Sequence, residues 1–218
     1  MGRQVARHAH AAAGHLRAIE SLAANADPPR LRIGAVASAL VRLVPGALAR
    51  FRREWPAARV LSVQGDDDEL AAWLAAETVD LVVTTRPIAG AGREIVDEFL
   101  AVLPRDHRLG RDGRAGLAEL ADAGLADPGG TCAPVVAAHF AAHGVDWRPD
   151  HLVRDVATAL AMAEAGITAG VAPAMAVPSP PPPGVRLMPL DPPLHRTVYA
   201  CHRPDDTHAG AFAQLLTA

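Results

Sequence analysis

Leu31-Arg32-Ile33-Gly34-Ala35-Val36-Ala37-Ser38 decides how the rest of the chain is read. Leu31, Ile33 and Ala35 alternate with Arg32 and Gly34 in the period-two pattern of a short buried strand. The stretch ends on a small hydroxyl residue and runs into the apolar segment Ala39-Leu40-Val41-Arg42-Leu43-Val44, for which Ser38 is well placed as an N-cap. Open α/β sheets bind ligands beyond the carboxyl ends of their strands, where unpaired N–H groups of the next helix face the ligand. Ser38 is predicted to lie at such an end.

Downstream, a helix is predicted over 39–54, with Leu43, Ala47, Leu48 and Phe51 on its inner face. Pro45 inside that span requires a kink or a new first turn, and Trp55-Pro56 ends it. A second strand is predicted over 59–64, a helix over 69–76 and a third strand over 79–84. This β-α-β-α-β order implies right-handed crossovers and a parallel sheet. A strand over 98–103 follows, closed by Pro104-Arg105-Asp106-His107. Beyond it a second set of short elements is predicted: strands near 124–126, 151–154 and 168–172, helices over 134–143 and 156–165, strands over 185–190 and 197–201, and a closing helix over 208–216. Ser179-Pro180-Pro181-Pro182-Pro183-Gly184 reads as a rigid surface connection.

Upstream, Val5, Ala9, Ala12, Leu16, Ile19 and Ala23 are spaced alternately by four and three, the a/d pattern of a coiled-coil seam. That spacing predicts a dimerisation helix over about 3–25. Asp27-Pro28-Pro29 then stops it and forms a linker.

The chain of 218 residues is half hydrophobic and about one-fifth charged, a globular profile with room for one or two domains. With a formal net charge of -3 it carries no basic nucleic-acid face. All the basic residues are Arg, whose planar fork can hold a carboxylate bidentately where Lys cannot. Cys132 and Cys201 form no spaced pair, which fits a reducing cytoplasm. No signal peptide is expected, since the N-terminal segment lacks a continuous apolar stretch, and no apolar run is long enough to span a bilayer, so no membrane association is expected.

Leu31-Arg32-Ile33-Gly34 with Ser38, Leu43-Val44-Pro45 to Phe51 with Trp55-Pro56, and Val79-Asp80-Leu81-Val82-Val83 are followed in order by two longer matches. These are the segment from Phe99 to Leu109, which contains Leu103-Pro104-Arg105-Asp106-His107, and Ala165-Gly166-Ile167-Thr168-Ala169-Gly170-Val171-Ala172-Pro173. In order and spacing they resemble the effector-binding domain of LysR-type transcriptional regulators. The resemblance implies two Rossmann-like α/β lobes joined by two crossing strands, as in type 2 periplasmic binding proteins, preceded by a linker helix. Residues 1–27 would be a fragment of that linker and dimerisation helix, 30–102 and 202–218 lobe one, and 103–201 lobe two.

The resemblance also implies a small-molecule effector in the interlobe cleft, a homodimer or homotetramer, and DNA contact only through a winged helix-turn-helix domain absent from this chain. The expected ligand-binding residues are Ala37, Ser38, Ala39, Asp66, Thr85, Arg86, Gly130 and Thr131. Ser38, the helix-start N–H groups and the Thr131 loop suit a small carboxylate, and Asp66 suits a cationic or hydroxyl end, so a zwitterion would satisfy both. Two departures from the family bear on this. Thr168 replaces a glycine and is expected to narrow or polarise one wall, and Asp66-Asp67-Asp68 stands where a small hydroxyl residue is common.

Other constellations read as structural. His139 and His143 are four apart on a predicted helix, a chelating spacing, yet no carboxylate or Cys accompanies them in sequence. Asp66 to Asp68 reads first as an N-cap with favourable charge at a helix start. Gly129-Gly130-Thr131-Cys132 reads equally as a turn or an anion nest. No nucleophile elbow, P-loop, HExxH or dinucleotide fingerprint is present, so no enzyme activity and no cofactor are expected. The alternative is a stand-alone binding protein or an enzyme on a similar two-lobed fold.

Overall fold

The computed structural model describes residues 28–109 and 113–217, so the coiled-coil helix expected over 3–25 lies outside the described residues. The first half is built from β1 (Arg30–Ala35), a 3-10 turn (Ala37–Leu40), α1 (Leu43–Glu54), β2 (Arg59–Gln64), α2 (Asp67–Ala75) and β3 (Leu81–Thr84). β1 pairs in parallel with both β2 and β3, as the alternating element order requires. The helix expected over 39–54 is instead two pieces. Pro45 lacks an N–H and is tolerated only in a first turn, so α1 starts at Leu43 and a turn at Val41 and Arg42 separates it from the 3-10 segment.

Ser38 is not an N-cap. Val36 holds the cap position of the 3-10 turn and no side chain caps it, while Ser38 lies inside the turn and is buried. Asp66, by contrast, closes a full capping box on α2: its side chain accepts from the amides of Asp68 and Glu69, and Glu69 accepts from the Asp66 amide.

The second half contains β4 (Ala91–Pro104), β5 (Ala115–Gly116), α3 (Leu117–Ala121), β6 (Leu125–Asp127), α4 (Ala133–Ala142), β7 (His151–Leu152), α5 (Val156–Glu164), β8 (Ala169–Pro173), a 3-10 turn (Ala174–Ala176), β9 (Val185–His202) and α6 (Thr207–Leu215). β9 is one strand where two were expected. Asp191-Pro192-Pro193 interrupts the apolar pattern, and since prolines cannot donate to a ladder, the pairing jumps from Phe99↔Leu194 to Leu100↔Pro189 and leaves those residues in a bulge.

The strands form one sheet in the order β2-β1-β3-β9-β4-β8-β6-β7, with the long antiparallel pair β4 and β9 at its centre. Two apolar cores sit on either side. One gathers Ile33, Phe51, Leu70, Val82 and Phe212; the other gathers Phe99, Leu103, Leu125, Phe140 and Leu160. Along β4 the first core ends at Ile95 and the second starts at Phe99, and along β9 the change falls between Leu194 and Val198. The lobes therefore part near Asp97 and Arg196, in mid-strand, and the boundaries expected at 102/103 and 201/202 lie nearer the strand ends. Among the described residues no helix is long and apolar enough to cross a membrane.

Phe51 is fully buried where α1 meets α6, edge-on to Phe212 at 5.5 Å between ring centroids and stacked on Trp55 at 6.1 Å. Phe51→Ala is expected to cost about 3–5 kcal/mol, the range for deleting a buried aromatic ring, read as a lowered urea midpoint.

Candidate ligand-binding cleft

A cleft of about 920 Å³ opens between the lobes, at the carboxyl ends of β1, β2 and β3 on one side and the loop before α4 on the other. Of the expected ligand residues, Ala37, Asp66, Thr85, Arg86, Gly130 and Thr131 line it. Ser38 and Ala39 do not, being buried beneath the wall because the 3-10 turn aims them inward.

The lobe-one wall is acidic, and the donors of Thr85 and Arg86 in it are engaged. Asp67 accepts from the Thr84 hydroxyl at 2.6 Å and from the Thr85 amide at 2.8 Å, and the Thr85 hydroxyl also donates to it. Burial alone would push the Asp67 carboxyl up, but these hydrogen bonds and the Arg86 guanidinium outweigh it and hold the group below its ordinary range. Arg86 pairs with Asp68 as well. Thr85 and Arg86 thus direct their donors to the aspartates. What this wall offers outward is carboxylate, from Asp66 and Glu69.

The lobe-two wall offers N–H groups. Gly129 and Gly130 have φ of 67° and 53°, left-handed values that glycine adopts without strain. A Cβ on Gly129 would stand 2.4 Å from the Val153 carbonyl oxygen, so only glycine lets this loop pack on the Val153-Arg154 backbone. The Gly129 amide donates to Asp127, and the Cys132 and Ala133 amides turn back to the Gly129 carbonyl. The Gly130 and Thr131 amides find no acceptor among the described residues, and they precede α4. Arg154 borders the cleft beside them.

The floor is a buried charged network that the sequence reading missed. Arg196 donates through Nε to Asp97 at 3.0 Å, through Nη2 to the Ser38 hydroxyl at 2.8 Å, and through Nη1 to Cys132 Sγ at 3.5 Å. Asp97 also accepts from the Met175 amide at 3.1 Å. Burial pushes the Asp97 carboxyl up against the pull of Arg196, and it likewise pushes the Cys132 thiol up, which disfavours a reactive thiolate. The only sequence signal was one charged residue in each otherwise core-facing strand pattern. Their direct opposition could not be read before the register was known.

Thr168 and the two histidines lie as follows in the fold. Thr168 does not polarise the cleft: it is buried at the start of β8 and its hydroxyl bonds the Gly124 carbonyl at 3.0 Å. His139 and His143 meet edge-to-face at 4.6 Å between ring centroids, with His139 half-buried against the Pro192 carbonyl, and among the described residues no group of three or more potential metal ligands exists.

Two α/β lobes with a polar cleft between them, hinged on two crossing strands, define a small-molecule-binding module of the periplasmic-binding-protein type. The chain belongs to the LysR substrate binding domain family, which it matches over residues 24–218, and is thus the ligand-sensing regulatory domain of a LysR-type regulator. Among solved structures it resembles HinK, a LysR family transcriptional regulator from Pseudomonas aeruginosa, with a TM-score of 0.73 at 17% identity over 99% of this chain and 78% of that one. It also resembles the BenM effector binding domain solved with its effector benzoate, with a TM-score of 0.70 at 19% identity over 88% of this chain and 91% of that one. Among curated proteins, an uncharacterised HTH-type transcriptional regulator of Bacillus subtilis, YoaU, is 26% identical over 77 residues, 34% of this chain and 27% of that one.

Because Asp67 has a depressed folded-state pKa, its contribution to stability is complete above the unfolded-state value and is lost as the pH falls through the folded one. Asp67→Asn is therefore expected to flatten the acid side of the Tm-against-pH curve, while Asp80, held down after burial is outweighed by Arg32, keeps part of the slope. At the floor, Asp97→Ala leaves Arg196 buried without its carboxylate and is expected to cost about 3–5 kcal/mol by chemical denaturation.

Proposed function

We propose that the effector is a small carboxylate whose other end is cationic or hydroxylated, bound in the cleft lined by Ala37, Asp66, Thr85, Arg86, Gly130 and Thr131. The observation that carries this is the asymmetry of the walls. One presents the unpaired amides of Gly130 and Thr131 at a helix start, the other presents Asp66 and Glu69 with the donors of Thr85 and Arg86 engaged. The benzoate held by the BenM domain supports a carboxylate as the anchoring end. A purely apolar ligand would leave these polar groups desolvated at about 1–3 kcal/mol each.

In the full-length regulator, ligand binding would bias the lobes toward one arrangement, and the linker would carry that bias to a winged helix-turn-helix domain. The same reading makes the protein a cytoplasmic, non-catalytic regulator that assembles as a homodimer or homotetramer through the heptad-spaced N-terminal segment. It has no membrane partner.

Thermal-shift screening against amino acids and hydroxy acids, followed by calorimetry, tests the ligand class. Asp66→Asn keeps a residue that caps α2 but removes the charge, and is expected to weaken an amino-acid ligand about tenfold while leaving a hydroxy acid unaffected. Equal loss for both, or none for either, would place the cationic end away from Asp66. For assembly, light scattering is expected to show a dimer or tetramer for the whole chain and a smaller species for residues 28–218. A monomeric whole chain at tens of micromolar would sink that part of the reading.

A further inference from the structure

Arg196 carries a donor that the fold does not satisfy with a good acceptor. Its side chain is only 5% exposed, yet it borders the cleft. A guanidinium has five N–H groups and no acceptor. Nε and Nη2 are engaged by Asp97 and Ser38, whereas the two protons of Nη1 face only the Cys132 sulfur at 3.5 Å, a weak acceptor. A buried charged donor so poorly matched is costly unless another acceptor completes it.

Its position supplies the second half of the argument. Cys132 directly follows Thr131, so the Nη1 contact brings the guanidinium to the start of α4, in the same cleft as the unpaired amides of Gly130 and Thr131. We infer that Arg196 is the anion anchor of the cleft: the effector's carboxylate is held with one oxygen on Arg196 Nη1 and the other on the amides that open α4. This deepens the reading that the cleft binds a small acid, and rests on it. Asp97 already balances the Arg196 charge, so the ligand's own charge is met by the helix start and by Arg154, for which no carboxylate partner exists among the described residues.

The same geometry selects among anions. Asp66, Asp67, Asp68 and Glu69 all border the facing wall, where only Arg86 opposes them. A dianion such as a phosphate ester would be repelled by that wall, whereas a monocarboxylate with a neutral or cationic remainder is not. Arg196 thereby becomes the residue that sets charge class. It also bonds lobe one through Ser38, the hinge through Asp97 and lobe two through Cys132, so a ligand on Nη1 touches a side chain bonded to both lobes.

The test uses the whole chain and a fixed panel: glycine, L-alanine, glycolate and benzoate, each beside its primary amide. At least one acid is expected to raise the wild-type Tm while its amide does not. Arg196→Lys keeps the charge opposite Asp97 but loses the fork, and is expected to weaken that acid about tenfold or more by calorimetry. Should Arg196→Lys melt without cooperativity, the Arg196→Gln/Asp97→Asn pair removes both buried charges together and is expected to show the same loss. Undiminished acid binding in a folded variant overturns the anchor and leaves the cleft reading standing. Amides that bind as well as their acids overturn the anchor and the carboxylate class. A panel that leaves the wild-type Tm unmoved overturns the anchor, and the wider screen then decides whether the cleft binds small acids at all.

Discussion

The ion pair of Asp97 and Arg196 is the constraint on which the two-lobed arrangement turns. The two residues stand directly opposite each other on β4 and β9, where one apolar core ends and the other begins. Each lobe buries its own aromatic and aliphatic residues without help from the other. Between them run two antiparallel strands and a contact between the two 3-10 turns, with Met175 from the second turn packed into the first core. Removing two charges from water costs several kcal/mol per ion, and mutual attraction offsets this only when the remaining polar atoms are also bonded. Here the Met175 amide, the Ser38 hydroxyl and the face of Phe99, 5.3 Å from the guanidinium carbon, supply part of that completion, and Nη1 is left with the Cys132 sulfur.

The acidic wall obeys the same logic at lower cost. Three consecutive aspartates at the start of α2 would repel one another, but each is engaged by different groups. Asp66 caps the helix, Asp67 gathers Thr84 and Thr85, and Asp68 pairs with Arg86. The helix start contributes a favourable field for all three. This arrangement ties the end of β3 to α2, and it sets four carboxylates along the lobe-one wall beside a single guanidinium, that of Arg86. On the proposed reading of the cleft, a negative group would be held by the lobe-two wall and the floor.

Much of this fold was legible in the sequence, since strand alternation and helix periodicity in short, separated segments are local signals. The parallel trio β1, β2 and β3, the helices α4 and α5 of the second lobe and the capping role of Asp66 all follow from residues within a few positions of each other. What was not legible depends on long-range register. Ser38 has the composition of an N-cap, but the turn it sits in is set by Pro45, and its partner Arg196 is 158 residues away. The single strand β9 hid behind Asp191-Pro192-Pro193, because prolines that end an isolated strand can be accommodated in a bulge when a long partner such as β4 runs alongside. The short β5 and α3, Ala115–Gly116 and Leu117–Ala121, carry too few residues for any period to show.

Stability alone does not account for a charged pair at the hinge, because replacing such pairs with well-packed apolar residues is often neutral or stabilising. An apolar plug, however, tolerates small rotations with little change in energy, while hydrogen bonds weaken steeply with angle. Arg196 holds bonds to a hydroxyl fixed in one lobe, a carboxylate on the hinge strand and a thiol fixed in the other. Any rotation of one lobe against the other must lengthen or bend at least one of them. The hinge is therefore stiffest in those relative placements of the lobes that satisfy the guanidinium, and a group arriving in the cleft can change which placements those are only by bonding to it or to its partners.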